Sequence, residues 1–145
     1  MSEKKTVEKI IDVQVKWKSN LKFDVKIRGT HELFVDDTPK PEGRDEGPAP
    51  ADLLAAAVGA CLSSSFTFCM SKARAELTEL TTTVKAEESR VEGRLRVTGI
   101  NVTINPKFAE NDDKKLERCK AIFRDYCTVT GSVTRGIPVN VTVET

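Results

Sequence analysis

The sequence predicts an α+β protein in which antiparallel strands are combined with two helices. Three observations favour this class: period-two alternations near both ends of the chain, a long uncharged alanine-rich segment, and an amphipathic segment that starts with Asn and Asp. In chain order they give β-β-β-α-β-β-α-β. The 145 residues match the usual size of one compact domain, so we expect a single domain over residues 1–145.

The first third of the chain is predicted to form a three-stranded antiparallel meander. Apolar and polar residues alternate in VEKIIDVQVKW (7–17), LKFDVKIRG (21–29) and HELFVDD (31–37), and the turn formers SN and GT separate them. The next segment, residues 36–52, holds four of the six prolines. We expect a long loop there, acting as a flap or a crossover.

The uncharged segment is predicted to be the first helix, from about Pro50 into SKARAE. Pro50 suits the first helical position, and Asp52 lies in the first turn, where a negative charge is favourable. No charged residue occurs from Leu53 to Ser71, which approaches the length of a membrane span, but the glycine and serines of this run argue against one. We instead expect protein to cover this helix on every side.

A second hairpin, a second helix and a last strand complete the prediction. LTELTTTVKAEESR (77–90) and GRLRVTGINVTIN (93–105) alternate around a glycine-bearing turn. NDDKKLERCKAIFRDYC (111–127) carries the apolar stripe of an amphipathic helix that ends at Cys127. GIPVNVTVE (136–144) is predicted to be the final strand.

Charge and the N-terminal composition limit the expected partners. The 23 basic and 22 acidic residues are spread along the chain and give a net charge of +1, so we expect neither nucleic acid nor an anionic membrane as a partner. The N-terminal residues lack the unbroken apolar region and the cleavage site of a secretory signal. We therefore expect a cytoplasmic protein.

Four cysteines are the main candidates for chemistry. Cys61 and Cys69 are eight residues apart on one predicted helix, as are Cys119 and Cys127 on the other, and eight helical residues rise about 12 Å. Thiolates on one zinc lie within about 4 Å of one another, and bridged Cα atoms lie below about 7 Å, so no pair within one helix can share a metal or form a disulfide. Any pairing must join the two helices. With His31 as the only histidine, we expect no metal site.

The spacing leaves the role of each thiol open. A buried cysteine behaves as a small hydrophobic residue, which we expect for Cys69, beside aromatic residues, and for Cys119, on the apolar stripe of its helix. Cys61 lies among small residues that leave room for a reactant, and Cys127 lies at a helix end. These two are candidates either for redox chemistry or for packing.

Two motifs resemble the OsmC and organic hydroperoxide resistance family: PADLLAAAVGAC (50–61) and CTVTGSVTRGIPVNVTVE (127–144). The resemblance extends from about residue 8 to the C-terminus. It implies the OsmC-like fold as an intertwined homodimer, with the reactive sites at the subunit interface. It also implies that Cys61 attacks an organic hydroperoxide, that Cys127 resolves the product as a disulfide, and that a dithiol such as a lipoyl group, or a small thiol, is the reductant. No cofactor is implied.

Members of this family also place an arginine and a carboxylate near the attacking thiolate. Asp52 matches the acidic position of one branch, whereas Ala51 stands directly after the proline, where the hydroperoxidases have the acid. Arg44, eight residues before Asp52, is the candidate cation that would lower the pKa of the Cys61 thiol. The alternatives are the basic residues of the first strands and turns: Arg28, Lys18 and Lys22.

The sequence therefore favours a thiol peroxidase that reduces organic hydroperoxides to alcohols. The apolar surroundings of Cys61 favour a lipophilic hydroperoxide over hydrogen peroxide, since burial of an alkyl group is favourable. One alternative is a non-enzymatic OsmC-like protein that binds a hydrophobic ligand at the dimer interface. Another is a purely structural dimer.

Overall fold

The computed structural model describes residues 5–38 and 43–145. The chain divides into two compact units, Met1–Leu53 and Leu54–Thr145. The expected single domain over residues 1–145 stays a prediction.

The N-terminal unit contains the predicted antiparallel meander. Its strands are β1 (Val13–Ser19), β2 (Lys22–Ile27) and β3 (His31–Asp36), paired in the order β1-β2-β3. The first strand begins later than predicted because β2 ends at Ile27, the partner of Val13, and the last hydrogen bond on this side joins the Arg28 N–H to the carbonyl of Asp12. β1 is exposed over its whole length.

A buried carboxylate organises the described part of the predicted loop, residues 43–49. Asp36 is only 1% exposed, and its carboxylate oxygens accept hydrogen bonds from the backbone N–H groups of Arg44 (3.4 Å) and Glu46 (3.1 Å). The backbone N–H of Asp36 donates to the carbonyl of Pro48. The loop is therefore fastened to the end of β3 where it is described. Pro39 and Pro41 lie outside the described residues.

The first helix, α1 (Pro50–Lys72), begins at the predicted proline. The carboxylate of Asp52 accepts the backbone N–H of Ala49 at 2.9 Å, as an acidic residue at the third helical position does in a capping box. The helix ends because Arg74 adopts a left-handed conformation (φ 59°) and the N–H of Ala75 donates to the carbonyl of Met70.

The C-terminal unit contains the predicted second hairpin, β4 (Leu77–Val91) and β5 (Arg94–Phe108). Glu92 and Gly93 connect them, both with positive φ, as a two-residue hairpin turn requires. α1 approaches β4 closely through small residues. A Cβ added to Gly59 would lie 2.5 Å from a methyl carbon of Val84, and the hydroxyl oxygens of Ser63 and Thr82 are 2.5 Å apart.

The predicted length of the second helix is wrong, and so is the predicted number of two helices. Residues 111–127 form α2 (Asp113–Ile122) and a 3-10 turn (Phe123–Tyr126), and a third helix, α3 (Thr128–Arg135), follows. Cys127 therefore begins a helix instead of ending one. α3 contains β-branched residues and Gly131, which disfavour a helix, but Cys127 caps its start and Gly136, with φ 75°, ends it.

The predicted final strand is also absent, so the order is β-β-β-α-β-β-α-α with a 3-10 turn before α3. The alternating apolar residues of 136–144 are present, but a strand needs a partner for its backbone hydrogen bonds. Within the described residues of the C-terminal unit, no strand pairs with this segment. Its apolar side chains are 61–82% exposed: Ile137, Val139, Val141 and Val143.

By length and composition alone, α1 is long and apolar enough to cross a membrane. Much of its surface is uncovered, because few of its 23 residues are buried: Val58, Gly59, Leu62, Phe66 and Met70. The expectation that protein covers this helix on every side is thus not met within one chain.

Candidate functional site

The structure brings Cys61 and Cys127 together. Cys61 belongs to α1 and Cys127 is the N-cap residue of α3, and their thiols are in hydrogen-bonding contact. Both contact an apolar cluster that contains Val58 and Leu62. The two thiols that the spacing left open, as redox groups or as packing, are therefore neighbours.

The first turn of α3 supplies hydrogen bonds to both sulfur atoms. The backbone N–H of Val129 points at Cys61 Sγ (3.5 Å), and the N–H of Thr130 points at Cys127 Sγ (3.4 Å). The Thr130 hydroxyl oxygen lies 3.0 Å from Cys127 Sγ. These N–H groups have no partner within the helix, and the helix dipole favours negative charge here. The arrangement can stabilise a thiolate on either sulfur.

The two thiols differ in acidity. Burial raises the pKa of Cys127, but hydrogen bonds from Cys61, from Thr130 and from the Val129 N–H outweigh it, so the pKa of Cys127 lies below its usual value. Burial also raises the pKa of Cys61, and the hydrogen bond to Cys127 and its negative charge add to that effect. In the C-terminal unit, Cys127 is therefore the more acidic thiol of the pair, and negative charge is favoured on its sulfur over that of Cys61.

The two thiols also differ in solvent exposure, and the less acidic thiol is the more exposed one. Cys127 is only 2% exposed, whereas Cys61 is partly exposed. A reactant therefore reaches Cys61 more easily, while negative charge is held more easily on Cys127.

A cavity of about 600 Å³ in the C-terminal unit shares wall residues with the surroundings of the thiol pair, although neither Cys61 nor Cys127 lines it. Its walls come from α1, β5, the 3-10 turn and α3, and they share Val58, Leu62 and Thr130 with the surroundings of the two sulfurs. Most of the lining is apolar, and Arg124 is its charged residue. Such a cavity suits a small apolar molecule with one polar or negative group.

The other two cysteines form a disulfide. Cys69 of α1 and Cys119 of α2 are bonded, with Cα atoms 5.8 Å apart. The expectation that they are packing thiols is wrong, although the pairing does join two helices, as the spacing required. The spacing itself held the missed signal, because equal eight-residue separations on two antiparallel segments place both pairs opposite one another.

The predicted supporting residues, Arg44 and Asp52, belong to the N-terminal unit. The Arg44 side chain is exposed, and its backbone N–H fastens the loop to Asp36. The Asp52 carboxylate caps α1 through Ala49. Neither takes part in the ion pairs found within the described residues of this unit.

The alternative cations also lie in the N-terminal unit. Lys18 pairs with Asp24, and Lys22 pairs with Glu46. The Arg28 guanidinium lies 3.1 Å from the ring Nε2 of His31. Over residues 5–38 and 43–145, no three His, Cys, Asp or Glu side chains group as metal ligands would.

A family comparison matches most of the chain. The model described as OsmC-like protein covers residues 43–142. The chain belongs to the OsmC-like family. The match includes Cys61 and Cys127 as well as Arg44 and Asp52. No curated protein matches the sequence of this OsmC-like chain significantly.

Solved structures of OsmC-like proteins share the fold. An OsmC-like protein of unknown function from Vibrio cholerae has a TM-score of 0.75 at 15% identity, over 85% of this chain and 92% of that chain. The organic hydroperoxide resistance protein OsmC from Legionella pneumophila has a TM-score of 0.65 at 16% identity, over 90% and 93%. An organic hydroperoxide resistance protein from Elizabethkingia anophelis gives 0.66 at 21% identity, over 91% and 92%. At these identities the likeness shows the fold alone.

The Thr130 hydroxyl is expected to lower the pKa of Cys127, since it can donate to the thiolate. Thr130→Val keeps the shape and the backbone N–H, so the pKa of Cys127 should rise. The absorbance of the thiolate near 240 nm as a function of pH measures it, in a Cys61→Ala background where Cys127 is the remaining free thiol. Thr134→Val is the matched control, because its hydroxyl donates to a backbone carbonyl instead. Equal titration curves for the two valine variants would contradict this role.

Proposed function

We propose that this OsmC-like protein is a thiol peroxidase that reduces organic hydroperoxides to alcohols. The observation that supports it most is the contact between an accessible thiol, Cys61, and a buried one, Cys127, beneath the N–H groups of α3. A thiol peroxidase of this kind needs a thiolate that a peroxide can reach. It also needs a second thiol that converts the resulting sulfenic acid to a disulfide.

The first step requires the thiolate on the accessible sulfur. The proton of Cys61 moves along the hydrogen bond to Cys127, and the N–H of Val129 stabilises the resulting Cys61 thiolate. This thiolate attacks the outer peroxide oxygen, and the O–O bond breaks as the S–O bond forms. Cys61 becomes a sulfenic acid, and the alkoxide leaves and takes a proton from Cys127 to give the alcohol.

The second step uses the thiolate that this proton transfer leaves on Cys127. It attacks the sulfur of the Cys61 sulfenic acid, hydroxide leaves, and a Cys61–Cys127 disulfide forms. An external dithiol then reduces the disulfide and is itself oxidised. The family resemblance suggests a lipoyl group or a small thiol for this role.

The substrate class follows from the cavity beside the thiols. Its apolar walls favour an alkyl hydroperoxide over hydrogen peroxide, because burial of alkyl surface contributes about 25 cal/mol per Å². The same cavity supports the alternative function, a non-enzymatic protein that binds a hydrophobic ligand. A ligand binder would keep Cys61 and Cys127 as thiols after exposure to a hydroperoxide.

We also propose the homodimer and the cytoplasmic location that the sequence suggested. Two exposed apolar features support a second copy of the chain: the outer surface of α1 and the segment 136–144, with which no strand of the described residues pairs. Pairing of that segment with another chain would satisfy its backbone groups and would supply the missing last strand.

Changing the two thiols should separate their roles. Cys61→Ser should abolish hydroperoxide consumption, since a hydroxyl is a far weaker nucleophile than a thiolate. Cys127→Ser should still allow one oxidation of Cys61 per chain, while turnover falls and the sulfenic acid is oxidised further. Serine is also a good N-cap residue, so α3 should persist. Loss of hydroperoxide in a coupled assay and the mass of the Cys61 peptide measure both effects. Normal consumption by Cys61→Ser would refute the proposal.

The supporting roles of Arg44 and Asp52 are proposed from the family resemblance. If Arg44 lowers the pKa of Cys61, Arg44→Ala should slow the alkylation of Cys61 at neutral pH and should reduce turnover more than Asp52→Asn does. Asn at position 52 can still accept the N–H of Ala49, so α1 should keep its cap. Arg28→Ala is the comparison variant. An alkylation rate that changes in Arg28→Ala but not in Arg44→Ala would mean that the cation was misassigned.

If the protein is a homodimer, its sedimenting mass at micromolar concentration should be twice the 16.0 kDa mass of the chain. Removal of residues 136–145 should weaken it, because the proposed intersubunit strand is lost. Sedimentation equilibrium of both forms measures this. A stable full-length monomer would contradict the dimer.

A further inference from the structure

The disulfide between Cys69 and Cys119 lies on the same two chain segments as the reactive thiols. α1 carries Cys69 and Cys61, and the chain from α2 to the start of α3 carries Cys119 and Cys127. Both segments take eight residues to pass from the disulfide to the thiol pair. The bond therefore joins the two structures that must keep Cys61 and Cys127 opposite one another.

An aromatic contact lies between the two cysteine pairs. The rings of Phe66 on α1 and Phe123 on the opposite segment are 5.4 Å apart and meet edge to face at 89°. Along the antiparallel segments the order is thus disulfide, aromatic pair and thiol pair. These three contacts fix the register of residues 119–127 on α1.

Little else in the strip of residues 119–127 contacts the interior. Cys119 and Cys127 are buried and Phe123 is half-buried, whereas the six other residues are exposed. Cys119 itself is packed with Phe66 and Met70 and is 1% exposed. Because so few side chains hold the strip, loss of one covalent contact should loosen the whole of it.

The resolving step is sensitive to such loosening. Cys127 must reach the sulfur of the Cys61 sulfenic acid before a second hydroperoxide does, since that second reaction gives a sulfinic acid and an alcohol. Resolution is intramolecular, and its rate depends on how often the two sulfurs meet in the right geometry. The competing oxidation is bimolecular, and its rate depends on hydroperoxide concentration.

We propose that the Cys69–Cys119 disulfide is a positioning bond for the reactive pair, which holds residues 119–127 in register on α1 so that Cys127 resolves the Cys61 sulfenic acid before over-oxidation. The inference rests on the proposed peroxidase function for its consequence, but the positioning itself does not require a peroxide. Cys69 and Cys119 do not touch the reacting atoms and act through the register of their segments.

The test compares the protein with the double variant Cys69→Ala/Cys119→Ala, well below the unfolding temperature of both. The hydroperoxide concentration that over-oxidises half of Cys61 in one turnover should fall about tenfold in the variant, since small misplacements can slow intramolecular steps by up to about 100-fold. Peptide mass spectrometry measures the ratio of sulfinic acid to Cys61–Cys127 disulfide. In parallel, the thiol oxidant diamide should form the Cys61–Cys127 disulfide more slowly in the variant.

Leu80→Ala is the control for a merely stabilising role. Leu80 of β4 packs on the same cluster as the disulfide but belongs to neither cysteine-bearing segment, so this variant should lose stability without losing the cross-link. Its ratio of Cys61 sulfinic acid to Cys61–Cys127 disulfide should equal that of the parent protein. An equal shift in Leu80→Ala, or an unchanged ratio and an unchanged diamide rate in the double variant, would overturn the inference.

The outcomes for the two proposals are distinguishable. A parent protein that does not consume hydroperoxide but shows the diamide difference would refute the peroxidase and keep the positioning role. Normal peroxidase activity, with the same over-oxidation ratio and the same diamide rate in the double variant, would support the peroxidase and refute the positioning role. Two reactive thiols per denatured, unreduced chain are expected, and four would show that the Cys69–Cys119 bond is absent.

Discussion

The contact between Cys61 and Cys127 beneath the first turn of α3 is the interaction on which the site depends. The backbone N–H groups of Val129 and Thr130 each point at one sulfur, so a single helix start can hold negative charge on either. Burial alone would keep both thiols neutral. In the proposed mechanism the two thiols share one proton, and Cys61 becomes the nucleophile when that proton moves to Cys127.

The rest of the C-terminal unit serves to bring these two sulfurs together. Gly59 and Ser63 let α1 lie close to β4, and this close packing sets the distance of Cys61 from the β4–β5 hairpin. The antiparallel segment 119–127 meets α1 through the disulfide and the Phe66–Phe123 contact, which fixes Cys127. These small residues near Cys61, whose size suggested room for a reactant, therefore also have a packing role.

Much of the architecture could be predicted from the sequence because period-two alternation is typical of strands, even for β1, whose side chains are all exposed. The β1–β3 meander and the β4–β5 hairpin follow from it. α3 could not be predicted, since its helix depends on a cap by Cys127 and a stop at Gly136 that override poor helix formers. The alternation of residues 136–144 predicts a strand correctly only when a partner is present. Proximity of Cys61 to Cys127 came from the family resemblance, whereas the Cys69–Cys119 bond needed the antiparallel register.

The thiol peroxidase proposal can be tested by mapping the disulfides after addition of one equivalent of cumene hydroperoxide per pair of reduced thiols. The chain starts with the Cys69–Cys119 bond and with Cys61 and Cys127 as thiols. We expect a new Cys61–Cys127 disulfide and one equivalent of the alcohol, with the Cys69–Cys119 bond retained. Persistence of both thiols with the hydroperoxide unconsumed would contradict the proposal.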